Sequence, residues 1–172
     1  MAGVHSSASS VPAGQAGQAE QYLTFELAGQ QYGVDILRVQ EIKGWERPTR
    51  LPRSPEYVQG VINLRGAVVP IIDLRSRFGL GNSEQGRTTV VIVVRVEGPR
   101  GPLTAGLVVD GVCEVCSIGA GQLQPPPDVG AAIDVQFVAG LAMAADRLLV
   151  LLDVPRLIAA TLADSPAAPQ AA

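Results

Sequence analysis

The stretch that decides the fold is "GVINLRGAVVPIIDL", residues 60 to 74, which is apolar almost throughout. Its two runs of branched apolar side chains are typical of buried β-strands. Between the runs lies Asn63-Leu64-Arg65-Gly66, and an Asn at the first position with a Gly at the fourth fits a type I turn. The stretch therefore predicts a β-hairpin with Arg65 at its exposed tip, although a turn arginine is commonly no more than a solvated side chain.

The hairpin pattern occurs a second time in the chain. A shift of 80 residues places residues 60 to 74 over "GLAMAADRLLVLLDV", residues 140 to 154, with glycine on glycine at the start and aspartate on aspartate near the end. The second tip, Ala144-Ala145-Asp146-Arg147, lacks a charge at the position that matches Arg65. One decorated tip on a duplicated scaffold indicates a site on one unit only.

A second alignment supports the duplication. Shifted by 73 residues, "GVDILRVQEI" (33 to 42) lies over "GLVVDGVCEV" (106 to 115). Further β-branched or leucine-rich runs occur at residues 22 to 27, 88 to 96, 103 to 112 and 147 to 154. The sequence therefore predicts a mainly β protein with two similar units, each the size of a five-stranded β-barrel, because closing a barrel removes exposed strand edges.

Helical signals are few and short. Asp35 could cap one helical turn, and helices of one or two turns each are predicted at residues 54 to 58 and 75 to 80. The best helix is "VPRLIAATLA" (154 to 163), which has a proline at a permitted first-turn position. We therefore expect a few short helices and one C-terminal helix beside the strands.

Both ends of the chain have the composition of tails. Residues 1–19 and 164–172 hold almost no large apolar side chain, so burial cannot offset the entropy of ordering them and we expect disorder. Between them we expect one domain, residues 20–163, with subdomains of roughly 20–85 and 86–163. Exchange of strands between the two subdomains is an open alternative.

The charge balance and hydropathy limit the kinds of partner. The net charge of -3 and the pI near 5.1 argue against nucleic acid, which calls for a basic face. No apolar run approaches the roughly 20 residues that cross a bilayer, and the start of the sequence has no secretory-signal pattern. We therefore expect a cytoplasmic protein without direct membrane insertion.

Residues that could carry catalysis are scarce. The only histidine is His5, in a predicted tail, which argues against Ser-His or Cys-His nucleophiles and leaves metal sites poor in nitrogen ligands. Cys113 and Cys116 lie three positions apart on a predicted strand, so their thiols should point to opposite faces and share neither a metal nor a disulfide. Asp73 and Asp153 end apolar strands and are better placed to cap the next turn than to act as acid and base. We therefore predict no enzyme, no metal and no cofactor.

Five segments in this order carry a resemblance to a known family. They are "YGVDILRVQEI" (32 to 42), "GVINLRGAVVPIIDLR" (60 to 75), "TVVIVV" (89 to 94), "GLVVDGVCEV" (106 to 115) and "DRLLVLLDV" (146 to 154). The chain resembles the CheW family of bacterial chemotaxis coupling proteins over about residues 20 to 163. One stretch, "GWERPTRLPRSP" (44 to 55), is more basic and richer in proline than the family pattern.

The resemblance implies two SH3-like β-barrels packed across a shared hydrophobic core. It implies a non-enzymatic adaptor that links the cytoplasmic tip of chemoreceptors, the methyl-accepting chemotaxis proteins, to the regulatory domain of the histidine kinase CheA. Such an adaptor would work in the cytoplasm at membrane-bound receptor arrays. Two alternatives stay open: an adaptor of a non-flagellar chemosensory pathway, and a small β-barrel ligand-binding protein whose pocket the sequence does not reveal.

The resemblance also implies which residues bind the receptor. The arginine of "NLRG" is Arg65, and its acidic companion in "VQEI" is Glu41. A groove between the barrels would be lined by further residues at matching positions, namely Val39, Gly60, Asn63, Val91, Val108 and Val109. The kinase-binding residues are unknown at this point.

Overall fold

The computed structural model describes residues 19–81, 85–126 and 135–163. The predicted tails lie outside these ranges, apart from position 19. The described strands are β1 (Glu20–Leu27), β2 (Gln30–Asp35), β3 (Val39–Gly44), β4 (Val58–Leu64), β5 (Ala67–Asp73), β6 (Val90–Gly98), β7 (Gly101–Val109), β8 (Gly111–Ile118), β9 (Val138–Ala144) and β10 (Arg147–Leu152). The described α-helices are α1 (Leu74–Arg77) and α2 (Val154–Ala163), and single 3-10 turns lie at Ile36–Arg38, Ala120–Gln122 and Val135–Phe137.

The strands form two five-stranded sheets of equivalent layout. The first sheet has the order β8-β1-β2-β10-β9, and the second has the order β3-β6-β7-β5-β4. Neighbours are antiparallel except at the centre of each sheet, where β2 pairs with β10 and β5 pairs with β7 in parallel. Each sheet combines strands from the first and second halves of the chain. The predicted fold class, mainly β with two five-stranded units, is confirmed.

Three apolar clusters hold the sheets together. The largest lies between the two sheets and contains Phe25, Ile92, Leu107 and Leu157, each with no exposed surface. Each sheet also curls around a smaller cluster of its own. Strand β6 shows why its sequence is apolar without alternation: it is covered on both faces, by the large cluster on one side and by the second sheet's own cluster on the other.

The short helices begin where the sequence placed their caps. The Asp73 carboxylate accepts a hydrogen bond from the Arg75 backbone N–H, and Asp153 accepts one from the Arg156 N–H. Asp35 caps its 3-10 turn in the same way. The predicted roles of these aspartates and the helix at 154 to 163 are confirmed. The helical turn predicted at 54 to 58 is wrong, because Val58 pairs with Ile72 and begins β4, leaving only a turn before it.

Two arginines on or beside α1 tie distant parts of the chain together. Arg75 forms an ion pair with Asp110, at the turn where the chain passes from the second sheet to the first. The Arg77 guanidinium lies over two aromatic rings, 4.5 Å from the centre of Tyr57 and 4.6 Å from that of Phe137. Tyr57 and Phe137 are related by the 80-residue repeat, so Arg77 joins equivalent points of the two units.

Candidate partner-binding surface

The hairpin between β4 and β5 ends in a two-residue turn, Arg65-Gly66. Both residues have positive φ, 53° and 88°, which identifies the turn as type I′ rather than the predicted type I. A two-residue hairpin loop needs this conformation because its twist matches the twist of the flanking strands. The Asn63 side-chain oxygen accepts a hydrogen bond of 2.9 Å from the Gly66 N–H and holds the turn closed.

Arg65 reaches from this tip to the far edge of its own sheet. Its Nη2 lies 2.5 Å from Oε2 of Glu41 on β3, and the two side chains are 77% and 23% exposed. Strands β3 and β4 are the two edges of the second sheet, so the ion pair spans the sheet's open side. The structure confirms that Arg65 stands on an exposed hairpin tip beside Glu41.

A second pair of contacts closes the same side further from the tip. The Thr49 and Val61 backbones exchange two hydrogen bonds of 2.8 and 2.9 Å. Gly60 permits this approach: it is buried at φ 143°, and a Cβ there would lie 2.2 Å from the Thr49 carbonyl oxygen. The glycine is therefore needed to seat the loop on β4, whatever its part in partner binding.

The four predicted valines differ in their accessibility. Val39 is half-buried at the start of β3, where it packs against the large cluster. Val91, Val108 and Val109 are 2%, 1% and 1% exposed, so they support the sheet from within and do not reach the surface around Arg65. Direct contact of these three with a partner stays a prediction.

The sequence did not predict that Val68 lies on the surface at the tip. Val68 on β5 is 56% exposed and lies directly across from Asn63. The apolar run "AVVPII" hides this position, but a strand pair carries its side chains on a common face, so the polar Asn63 could have indicated that its partner also points outward. Ile42, next to Glu41 on β3, is 44% exposed, but it pairs with Ile92 and points to the opposite face of the strand from Glu41.

The two cysteines are poorly suited to act as nucleophiles. Burial raises the pKa of the Cys113 and Cys116 thiols, which favours the protonated, unreactive form at neutral pH. No group of three or more metal-ligating side chains occurs among residues 19–81, 85–126 and 135–163. His5 lies outside those ranges. Within them, no helix is both long enough and apolar enough to cross a membrane.

Comparison with known proteins decides the family. A family model described as the CheW-like domain matches residues 21–162. The chain belongs to the CheW family. The chemotaxis protein CheW of Klebsiella aerogenes is 40% identical over 139 residues, which cover 81% of this chain and 81% of that protein.

More distant CheW-family relatives extend the likeness. Protein FrzA of Myxococcus xanthus is 31% identical over 115 residues, covering 67% of this chain and 69% of that protein. The crystal structure of the scaffolding protein TtCheW from Thermoanaerobacter tengcongensis superposes with a TM-score of 0.72 at 36% identity, covering 80% of this chain and 86% of that one. The predicted family and fold are confirmed. As a member of the CheW family, the protein is a chemotaxis adaptor and not an enzyme.

Proposed function

We propose that this protein couples chemoreceptors to the histidine kinase CheA in bacterial chemotaxis, as a non-enzymatic adaptor. Its partners are the cytoplasmic tip of the receptors and the regulatory domain of the kinase. It works in the cytoplasm at membrane-bound receptor arrays, without inserting into the membrane and without binding nucleic acid. Membership of the CheW family and the net charge of -3 support this assignment.

The Arg65–Glu41 pair is the observation that carries the receptor-binding part of the proposal. Arg65 occupies a left-handed backbone position, which costs an L-residue about 1–2 kcal/mol and favours Gly or Asn. Its ion pair is open to solvent on the Arg65 side, which is 77% exposed, and a surface pair of this kind adds about 0–1 kcal/mol to stability. The fold therefore gains little from an arginine here, and recognition of a partner is the better reason for it.

The proposed receptor surface is the area around the first hairpin tip. It consists of the ion pair together with Asn63 and Val68, which add an amide and an exposed apolar side chain at the same tip. A partner that covers the pair removes water from two charges already aligned with each other. Truncating one charge of such a buried pair commonly costs about 2–5 kcal/mol of binding.

The test is the affinity of a chemoreceptor cytoplasmic fragment for Arg65 variants. Arg65→Ala should weaken binding by roughly 30-fold to several thousand-fold, since each 1.4 kcal/mol is a factor of ten. Arg65→Glu should weaken it further, because it places like charge against Glu41. Kinase binding should change less in both variants if the kinase contacts an apolar barrel end.

The matched control is Arg147→Ala, which removes an exposed arginine from the second hairpin. It should leave receptor affinity within about twofold of the parent, because an exposed charge outside the contact adds little. Thermal melts of all variants should agree within a few degrees. Equal receptor affinity for the parent and Arg65→Ala, in a folded variant, would show that the tip is only a turn.

A further inference from the structure

A second surface lies at the opposite end of β4 from the Arg65 tip. The loop that joins β3 to β4 encloses a cleft of about 520 Å³, whose lining includes Trp45, Arg47, Arg50, Gln59 and Gln85. We call this the Trp45 cleft. Gln59 and Leu64 are five residues apart on β4, so the cleft and the tip are separated by about 17 Å along the strand.

The loop around this cleft has an excess of positive charge. Residues 43–56 contain four basic and two acidic side chains, a net of +2, whereas the whole chain has a net of -3. Lys43 forms an ion pair with Glu46, in which Nζ lies 3.3 Å from Oε1. Arg47, Arg50 and Arg53 are exposed, and none of them forms a hydrogen bond or ion pair with another described residue. Three exposed guanidinium groups within seven residues are therefore available to a partner.

The aromatic wall of the cleft is fixed in place. Trp45 is half-buried, packs against the second sheet's own cluster, and donates a hydrogen bond of 3.2 Å from Nε1 to Oε1 of Gln59. The Trp45 cleft thus offers an apolar ring and two arginines to a ligand.

We propose that the Trp45 cleft binds an acidic segment of a partner protein. Carboxylates of that segment would meet Arg47 and Arg50, whose planar guanidinium groups match carboxylate geometry, and one apolar side chain would lie on Trp45. Nucleic acid fits less well, because its phosphate backbone would extend beyond the loop of net charge +2 over an acidic chain, whereas a short acidic segment need meet the loop alone. A membrane surface fits less well, because the Trp45 ring lies in the cleft with its N–H bonded and is not free to insert.

Trp45 is the only tryptophan of the chain, so its fluorescence reports on the cleft directly. The probe is a short peptide of alternating Glu and Ser with one central Phe, titrated into the full chain at low salt. We expect a saturable change in emission that weakens when salt is raised to about 150 mM. The same peptide with Lys in place of Glu should produce no such change.

The decisive variant is Arg47→Glu with Arg50→Glu, compared with Arg95→Glu with Arg100→Glu. Both pairs are exposed arginines and both variants change the net charge equally. Loss of charge-assisted hydrogen bonds should weaken peptide binding at least about tenfold in the cleft variant and within about twofold in the other. If the cleft variant melts early, the milder Arg47→Gln with Arg50→Gln replaces it.

Three results would overturn the proposal. They are equal weakening in both double variants, no saturable peptide binding up to about 1 mM, and tighter binding of oligothymidylate or phosphatidylserine vesicles than of the acidic peptide. Arg65→Ala should retain full peptide affinity, so failure here and failure of the receptor-binding assignment are distinguishable.

Discussion

The two repeated hairpins have similar backbone conformations at their turns but carry different side chains. Arg65 and Gly66 have φ 53° and 88°, and the matched Ala145 and Asp146 have φ 50° and 63°. Beside these turns, Asn63 on the first hairpin is matched by Met143 on the second, which is 55% exposed. The duplicated strands therefore fix the shape of both tips, while their side chains put an arginine paired with Glu41 on the first tip and an exposed methionine beside the second.

The segments that follow the hairpins differ in the same way. Leu157 of α2 is fully buried in the large cluster, while its match in α1 is Arg77, which lies between two rings. Arg75 pairs with Asp110, while its match in α2 is Pro155, which can form no such pair. At these two matched positions, the first unit has arginines with polar or ring contacts and the second unit has apolar residues.

The largest expected difference in stability is between alanine substitutions at two glycines matched by the repeat, Gly60 and Gly140. Gly60→Ala should lower the free energy of unfolding by about 3–5 kcal/mol, because φ 143° is nearly exclusive to glycine and the new Cβ meets the Thr49 carbonyl. Gly140→Ala should lower it by about 1 kcal/mol, because its Cβ would lie 3.2 Å from the nearest atom, the Gln124 carbonyl oxygen. Urea unfolding measures both. Equal losses would show that the backbone contacts of Gly60 with Thr49 and of Gly140 with Gln124 are equally tight.

The next effect concerns the ion pair that only the first unit has. Arg75 donates three hydrogen bonds of 2.6 to 3.0 Å to Asp110, and Asp110 also accepts one from the Ala28 N–H. Asp110→Asn should lower the free energy of unfolding by about 1–3 kcal/mol at pH 7. Asp146→Asn, at the exposed second tip, should change it by less than about 0.5 kcal/mol.

The Asp110 contribution should also depend on pH in a defined direction. Burial acts to raise the Asp110 pKa, but the bonds from Arg75 and Ala28 outweigh it and lower the pKa below its ordinary value of 3.8. A lowered folded-state pKa gives stability that is present above pH 3.8 and is lost as the pH falls through the folded-state value. The gap between the parent and Asp110→Asn should therefore shrink on acidification. A gap that stays constant from pH 7 to about pH 2 would contradict this assignment.

A smaller effect is expected at Arg77. Arg77→Leu introduces the residue that the second unit has at the matched position, Leu157. The substitution removes both ring contacts and the hydrogen bond from Nε to the Thr161 hydroxyl. We expect a loss of about 1–2 kcal/mol in the free energy of unfolding. The control is Arg156→Leu on α2, whose side chain is 70% exposed and should matter little. A neutral Arg77→Leu would mean that apolar packing serves equally well in both units.

These contacts also mark the limit of what the sequence could predict. The hairpins, the α2 helix, the aspartate caps and the closeness of Arg65 to Glu41 follow from local patterns or from the resemblance. The Arg75–Asp110 pair joins residues 35 positions apart and depends on which sheet each strand enters, which local patterns do not encode. The burial of Val91, Val108 and Val109 could not be predicted for a related reason. Strands covered on both faces lack the alternation of apolar and polar residues that separates buried from exposed positions.

The prediction of the turn type was wrong for a different physical reason. Local preference assigns Arg to a right-handed backbone, and the twist of the paired strands overrides that preference at the first tip. The same conflict occurs at Ala145 of the second hairpin, at φ 50°, so it follows from the hairpin geometry that both units share. It also means that the residue at the tip can be exchanged with little change in stability.

The smallest effect on stability is therefore expected at the tips. Ala145→Gly should raise the free energy of unfolding by about 0.5 kcal/mol, because relief of the left-handed strain exceeds the greater flexibility of glycine in the unfolded chain. Arg65→Gly gains the same relief but loses the exposed pair with Glu41, so its net change should be close to zero. Paired urea curves, with receptor-fragment affinity measured on the same samples, check both. A loss above about 1 kcal/mol in Arg65→Gly would show that the arginine stabilises the fold. An unchanged fold with receptor binding lost, beside an Ala145→Gly variant that keeps both, would confine recognition to the charged tip.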